Sequence, residues 1–337
     1  MTENDLEDLL SDPTDELIEA FRRIDGDILV LGVAGKMGPS LARLAVNASK
    51  AAGSMRRVIG VARFSDPATR DALETAGVSI IAADLLDRAA LDTLPDAANI
   101  IYMAGRKFGT TGDEAATWMT NAYLPGLVAE RFKHSRIVAF STGNVYPLVS
   151  IQGDGPTERD PVGPVGEYAQ AALARERIFE FFARRNNTPM AILRLNYAVE
   201  PRYGVLRDVA DQVFAGKPVD LSMGYANVIW QRDANAIALR ALEHCATPPL
   251  VLNVTGRPAQ SIRALATQFG RQFNREPLLL GVERGTALLS DASLCESMFG
   301  LPPVSVATMI EHVANWVKGG GRSLNRPTHF TARDGAF

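Results

Sequence analysis

Cysteine is scarce in this 337-residue chain, where Cys245 and Cys295 stand far apart with no second pair. That excludes a disulfide framework and a clustered zinc site, and it favours a reducing compartment, so the expected location is the cytoplasm. Histidine is scarce too, and none of His134, His244, His312 and His329 lies near another ligand type in the sequence. No metal site is expected. No apolar run reaches the ~18 residues that a membrane-spanning helix needs, so no membrane association is expected. Basic stripes and tails are missing and the formal net charge is −3, which argues against a nucleic-acid partner. The stretch Thr2 to Glu19 is acidic and has no basic segment leading into an apolar run, so it is not read as a signal peptide.

What is present is a large apolar fraction, 47%, with 22% charged residues, enough to bury the core of one α/β domain with a smaller lobe. The organising stretch is Ile28-Leu29-Val30-Leu31 running into Gly32-Val33-Ala34-Gly35-Lys36-Met37-Gly38, then an apolar helical spacing from Pro39 to Ala45. A buried strand, a tight glycine turn and a helix N-terminus form a cradle for a pyrophosphate, because side chains at the glycines would hold the backbone away from the phosphates.

Further strands are expected at Arg57–Arg63, Val78–Ala83, Asn99–Gly105 and Arg136–Phe140, alternating with amphipathic segments, the longest around Trp118 to Phe132. Continuous apolar strands between helices predict a doubly wound parallel sheet, in which the glycine turn marks the dinucleotide site. The chain divides into a helical extension over residues 1–26, a dinucleotide-binding core over 27–190, a mixed core and substrate lobe over 191–318, and a tail over 319–337. In the extension, Asp15 to Arg23 reads as a short docking helix. The tail follows Gly319-Gly320-Gly321; a mobile terminus is the plainest reading, with a pocket cover or a contact to another subunit as alternatives.

The second strand ends in Ala62-Arg63, where an acidic residue would bind the adenosine ribose hydroxyls and repel a 2′-phosphate. Its absence leans towards NADP over NAD, although Asp66 is near and Arg63 also suits a solvated surface. Asp84 reads equally as an adenine contact and as a helix cap. Beyond the fifth strand, Thr142 precedes Val145-Tyr146, and Gly166-Glu167-Tyr168 opens a helix. Both hydroxyls then face the carboxyl edge of the sheet, where a tyrosine phenol donates a proton to a carbonyl that accepts hydride and a threonine holds that oxygen.

With these motifs in order, residues 27–318 resemble the extended short-chain dehydrogenase/reductase superfamily, in its NAD-dependent epimerase/dehydratase branch. The resemblance implies that Gly32, Gly35, Lys36, Met37 and Gly38 hold the cofactor, with Asp84 and Leu85 at the adenine. It further implies that Ala104, Gly105, Lys107 and Asn121 line the cofactor site, and that Thr142 and Tyr168 are catalytic. A homodimer through the two long helices, Glu114–Phe132 and Tyr168–Arg185, is implied as well.

Two departures stand out. The family's tyrosine is followed four residues later by a lysine that lowers the phenol's pKa and holds the nicotinamide ribose, whereas this chain has Ala172. Unassisted tyrosine titrates near pH ~10, so a replacement charge is needed; oxidised nicotinamide could supply part of it and Lys107 and Arg175 are candidates, although Lys107 is expected to serve the cofactor and Arg175 to face solvent. Nucleotide-sugar epimerases also resemble one another in an arginine seven residues before a late aspartate, here Ala226 before Asp233. Without that diphosphate anchor, Asn144, Asn196, Tyr197, Asn227, Trp230 and Arg232 suit a small polyol, sugar or sugar acid, although Trp230 fits the core equally well, and Arg202 or Arg207 could bind a carboxylate.

Two functions from different classes follow. One is an NAD(P)-dependent oxidoreductase or epimerase acting on a small hydroxylated substrate; the other is a dinucleotide-binding protein that has lost its chemistry and reports cofactor state to a partner.

Overall fold

The computed structural model of the chain describes all residues except 108, 327 and 337. Seven parallel strands form the central sheet: β1 (Ile28–Leu31), β2 (Val58–Ala62), β3 (Ser79–Ala82), β4 (Asn99–Tyr102), β5 (Arg136–Thr142), β6 (Met190–Leu195) and β7 (Leu250–Val254). Their order is β7-β6-β5-β4-β1-β2-β3, with Leu31 level with Val61 on one side and Tyr102 on the other. The expected α/β doubly wound architecture is therefore present.

Alternation along β1 shows how the layers form. Ile28 and Val30 face a cluster with Leu41, Leu44 and Ile237, whereas Leu29 and Leu31 face one with Val128, Phe132 and Phe179. Every residue of β1 is buried, as a parallel strand covered on both faces requires. The first cluster is roofed by α3 (Gly38–Ala51) and α10 (Gln231–Arg240), the second by α7 (Leu124–Arg131) and α8 (Gly166–Asn186). The order reverses at β1, so the crevice beyond its carboxyl end lies where open α/β sheets take ligands.

The extension differs from expectation. It holds two helices, α1 (Glu3–Ser11) and α2 (Asp15–Arg23), and both are integral to the body. Leu17 and Phe21 are buried in the sheet cluster, while Leu6 and Leu10 are buried in the lobe cluster with Trp230 and Phe269. Arg202 fixes α1 by bonding Glu3 and Glu7, so it is engaged there and not held ready for a substrate carboxylate. Arg207 is likewise engaged, by Asp211 and the Pro201 carbonyl.

The tail is no mobile terminus. The Trp316 indole donates to the Arg322 carbonyl, the Thr328 hydroxyl donates to Asp208 at 2.5 Å, Phe330 is buried in the lobe cluster, and Arg333 donates to the Thr286 carbonyl. A side chain on Gly166 would run into Gly335, which places the end of the tail against the start of α8. Among the described residues no helix is long and apolar enough to cross a membrane.

Candidate active site

The glycine turn is built by close approach. Gly32 has φ +86°, and a Cβ there would lie 2.7 Å from the Ala104 nitrogen; at Gly38 a Cβ would lie 2.1 Å from the Val33 carbonyl oxygen. Only hydrogen at Gly38 lets α3 start directly above the turn, with its free N–H groups facing the crevice. Gly38→Ala forces the turn apart, and dinucleotide affinity measured by calorimetry should fall about tenfold or more with little loss of helix by circular dichroism.

Three adjoining cavities run along the carboxyl edge of the sheet and share lining residues. The first, about 280 Å³, lies between Gly32, Arg63, Phe64, Asp84 and Leu85. The second, about 190 Å³, lies between Gly35, Met37, Gly105, Tyr168 and Arg175. The third, about 130 Å³, is lined by Lys36, Lys107, Thr142, Asn144, Tyr168 and Tyr203. An elongated trough over a glycine turn and a helix N-terminus fits a dinucleotide, with the adenosine at the Arg63 end and the nicotinamide at the Tyr168 end. A larger cavity, about 540 Å³, opens behind the turn between Glu3, Arg43, Asp66 and Arg326; it contains neither Thr142 nor Tyr168 and is not the reacting centre.

At the adenosine end, Arg63 is exposed. Asp66 caps the helix Pro67–Thr75 by accepting from the Ala68 amide, and it lines the cavity behind the turn, so it does not compete with Arg63 for a ribose. Asp84 accepts from the Leu86 amide at 3.0 Å, and the following helix is capped by Asp87; the helix-cap reading of Asp84 is thereby replaced.

Thr142 and Tyr168 are brought together as expected. Thr142 ends β5, its hydroxyl accepts from the Asn144 amide at 3.2 Å, and it lines the same small cavity as Tyr168. Burial pushes the Tyr168 phenol above the usual tyrosine range, while the Arg175 guanidinium and the Thr142 hydroxyl pull it back.

The expectation that Arg175 faces solvent is wrong. It is 6% exposed, and it donates to the Phe140 carbonyl at 2.7 Å and to Asn121 Oδ1 at 2.6 Å. A Cβ on Gly105 would meet its Nη2 at 2.8 Å, so the glycine after β4 makes room for the guanidinium. Ala172, the position of the missing lysine, is fully buried against Val145 and Tyr146, leaving no space for a longer side chain without repacking. Asn121 is also corrected: it lies on a π-helical turn, Met119–Tyr123, where it accepts from the Arg106 amide and donates to the Arg106 carbonyl. It braces Arg175 and the loop after β4, and does not line the cavities described.

Behind Thr142 lies a network that sequence reasoning missed. Glu176 and Arg194 pair at 2.8 Å, both nearly buried; Ser141 donates to Glu176 at 2.5 Å, and Arg194 donates to the Tyr146 hydroxyl at 2.7 Å. These charges hold β5, β6 and α8 in register, so the Thr142 and Tyr168 hydroxyls keep their separation.

Of the expected substrate residues, Asn144, Asn196 and Tyr197 line the small cavity. Asn196 lies so close over Gly143 that a Cβ there would sit 1.9 Å from its Oδ1, and Tyr197 holds φ at +39°, the sparsely used backbone region that gathers at functional sites. The other three lie elsewhere. Trp230 is fully buried in the lobe core beside His312; Arg232 pairs with Asp233; Asn227 ties the Gly256 carbonyl to the Ser290 amide.

The family described as NAD dependent epimerase/dehydratase matches residues 28–254. Among solved structures, the UDP-glucuronic acid 4-epimerase of Bacillus cereus in complex with NAD is 19% identical, covers 87% of this chain and 99% of its own, and superposes with a TM-score of 0.72. A dTDP-glucose 4,6-dehydratase from Streptomyces venezuelae, with NAD and TYD bound, is 16% identical over 87% of this chain and 97% of its own, TM-score 0.74. Pal from Bacillus thuringiensis gives 17%, 87%, 99% and 0.73. No match is found among curated proteins. At these identities the likeness shows the fold.

Proposed function

Because the chain belongs to the NAD-dependent epimerase/dehydratase family, we propose that it is an oxidoreductase or epimerase that moves hydride between a bound nicotinamide dinucleotide and a small hydroxylated substrate, a sugar or sugar acid and not a nucleotide sugar. The observation that carries this reading is the Thr142–Tyr168 pair opening on a cavity of about 130 Å³. Cavities that enclose drug-sized ligands run from about 300 Å³ upwards, and Ala226, where nucleotide-sugar epimerases carry their diphosphate arginine, is fully buried.

The dinucleotide supplies or accepts hydride at its nicotinamide ring. The protein supplies the rest. Gly32, Gly35 and Gly38 admit the pyrophosphate to the turn, with Lys36 and Met37 beside it; Asp84 and Leu85 border the adenosine end, and Ala104, Gly105 and Lys107 close the trough from β4. Thr142 holds the reacting oxygen. Tyr168 gives a proton to that oxygen on reduction and takes it on oxidation, while Arg175 supplies, from two helical turns away, the positive charge expected of the lysine. The raised phenol pKa keeps Tyr168 protonated at neutral pH, so carbonyl reduction finds its acid ready and alcohol oxidation gains as pH rises.

NAD is bound in two of the three structures named above, which gives no support to the lean towards NADP drawn from Arg63. Support for a homodimer comes from Trp118, Met119, Tyr123 and Phe181, large apolar side chains left exposed on the two long helical segments.

The test is calorimetric titration of the stripped protein with NAD, NADH, NADP and NADPH, followed by a screen of sugars and sugar acids for absorbance change of the nicotinamide. The reading expects dinucleotide binding and turnover that depends on Tyr168. Binding without turnover across the screen would favour the cofactor-reporting alternative, and no binding would remove both.

A further inference from the structure

We propose that the cavity between Lys36, Lys107 and Tyr168 receives a carboxylate of the substrate, so that the substrate is a small hydroxy acid of the aldonic or uronic class and not a neutral sugar. This deepens the oxidoreductase reading and rests on it. Two cations from different elements converge here, lining both the small cavity beside Thr142 and the adjoining cavity of about 190 Å³. Lys36 rises from the glycine turn, and its Nζ donates to the Ala198 carbonyl at 3.3 Å and lies 3.5 Å from the centre of the Tyr203 ring. Lys107 comes from the loop after β4; its Nζ donates to the Thr328 carbonyl at 3.3 Å and stands 6.0 and 5.9 Å from the Tyr168 and Tyr197 rings.

The nearby acids have partners of their own. Glu200 is held by Arg202 at 3.0 Å, and Asp208 accepts from both the amide and the hydroxyl of Thr328. Among the described residues, the charged and titratable groups around the two amines include Glu200, Asp208 and the phenols of Tyr168, Tyr197 and Tyr203, and each amine acts on the other. Burial pushes Lys36 down to about 7, with Glu200 opposing it and Lys107 adding to it; burial pushes Lys107 down to about 8 against the pull of Asp208. An anion between them would restore both charges. It would also lie beside Thr142 and Tyr168, which puts a hydroxyl-bearing carbon of the same short molecule at the reacting pair.

Anionic oxygen could instead come from the cofactor's pyrophosphate, and the experiment separates the two. NAD-loaded protein is titrated calorimetrically with D-gluconate and D-galacturonate, and with sorbitol and D-galactose as neutral counterparts, from pH 6 to pH 9. At least one acid is expected to bind tenfold or more tighter than its counterpart. Its binding should take up protons at pH 8, measured in buffers of different ionisation enthalpy, because the ligand prefers the charged amines; affinity should then fall as pH rises above about 7. At NAD concentrations that saturate each variant, Lys36→Gln and Lys107→Met should each lose tenfold or more in acid affinity, a loss larger than any change in NAD affinity measured beside it, and thermal melts identify any variant that fails to fold. Equal binding of acids and neutral sugars, with turnover of the neutral ones, overturns the inference and leaves the oxidoreductase reading standing. Loss of NAD affinity in both lysine variants with acid binding intact assigns the amines to the cofactor and overturns it, as does no binding by either acid. Failure of the wild-type protein to bind any dinucleotide removes the underlying reading itself.

Discussion

Arg175→Met is expected to shift the rising limb of the pH–rate profile for substrate oxidation to higher pH by ~1 unit or more and to lower turnover near pH 7.5 by about 10- to 100-fold. Oxidation needs the phenolate of Tyr168. Burial raises that phenol and Arg175 is the charge that opposes it; an opposite charge close by lowers a pKa by about 1–3 units. Removing the guanidinium raises the pKa, and below that pKa the phenolate fraction falls tenfold for each unit. Reduction, which uses the protonated phenol, should lose far less at the same pH. Arg175→Lys keeps the charge but cannot bond both the Phe140 carbonyl and Asn121 Oδ1, so a partial rescue is expected. NAD affinity is the control. An Arg175→Met profile whose limb stays in place while overall rate drops would mean that the residue only packs the site.

Arg175 also shows where sequence reasoning stopped. The glycine turn, the strands and the Thr142–Tyr168 pair were legible because each rests on local chemistry: a backbone that must be bare, a strand buried on both faces, a hydroxyl at a strand end. The displaced cation was legible in principle, since seven residues make nearly two helical turns and bring Arg175 back within about 20° of the Tyr168 face. It was named as a candidate but set aside because an arginine on a helix usually snorkels to water, and nothing in the string reports that Gly105 leaves room for it. Trp230 and Arg232 could not be placed from composition. The helix beginning at Gln231 fixes which face they take, and that face meets the lobe core and Asp233. The first helix was read as part of an acidic appendage, although Leu6 and Leu10 lie one turn apart and both are buried. The tail has no periodicity to read, and its order comes from Asp208 and Thr286, which are distant in sequence, and from the neighbouring Trp316 indole.

Tyr168→Phe should lower turnover about 10³-fold in either direction, within the range that a positioned acid–base group contributes, and should leave NAD affinity within threefold. The ring stays and only the hydroxyl goes, so the helix start and its packing keep their shape, and Thr142 keeps the Asn144 amide. Unchanged turnover would sink the role and turn attention to Tyr203, which lines the same cavity. The more searching measurement is the cycle that joins this variant to Arg175→Met. If the guanidinium acts through the phenol, its removal in the Tyr168→Phe background should cost almost nothing further, a non-additivity close to the whole Arg175 effect. If instead the guanidinium acts on the substrate or the cofactor directly, the two losses multiply. That outcome would separate a charge relocated along α8 to serve one tyrosine from a second, independent catalytic group.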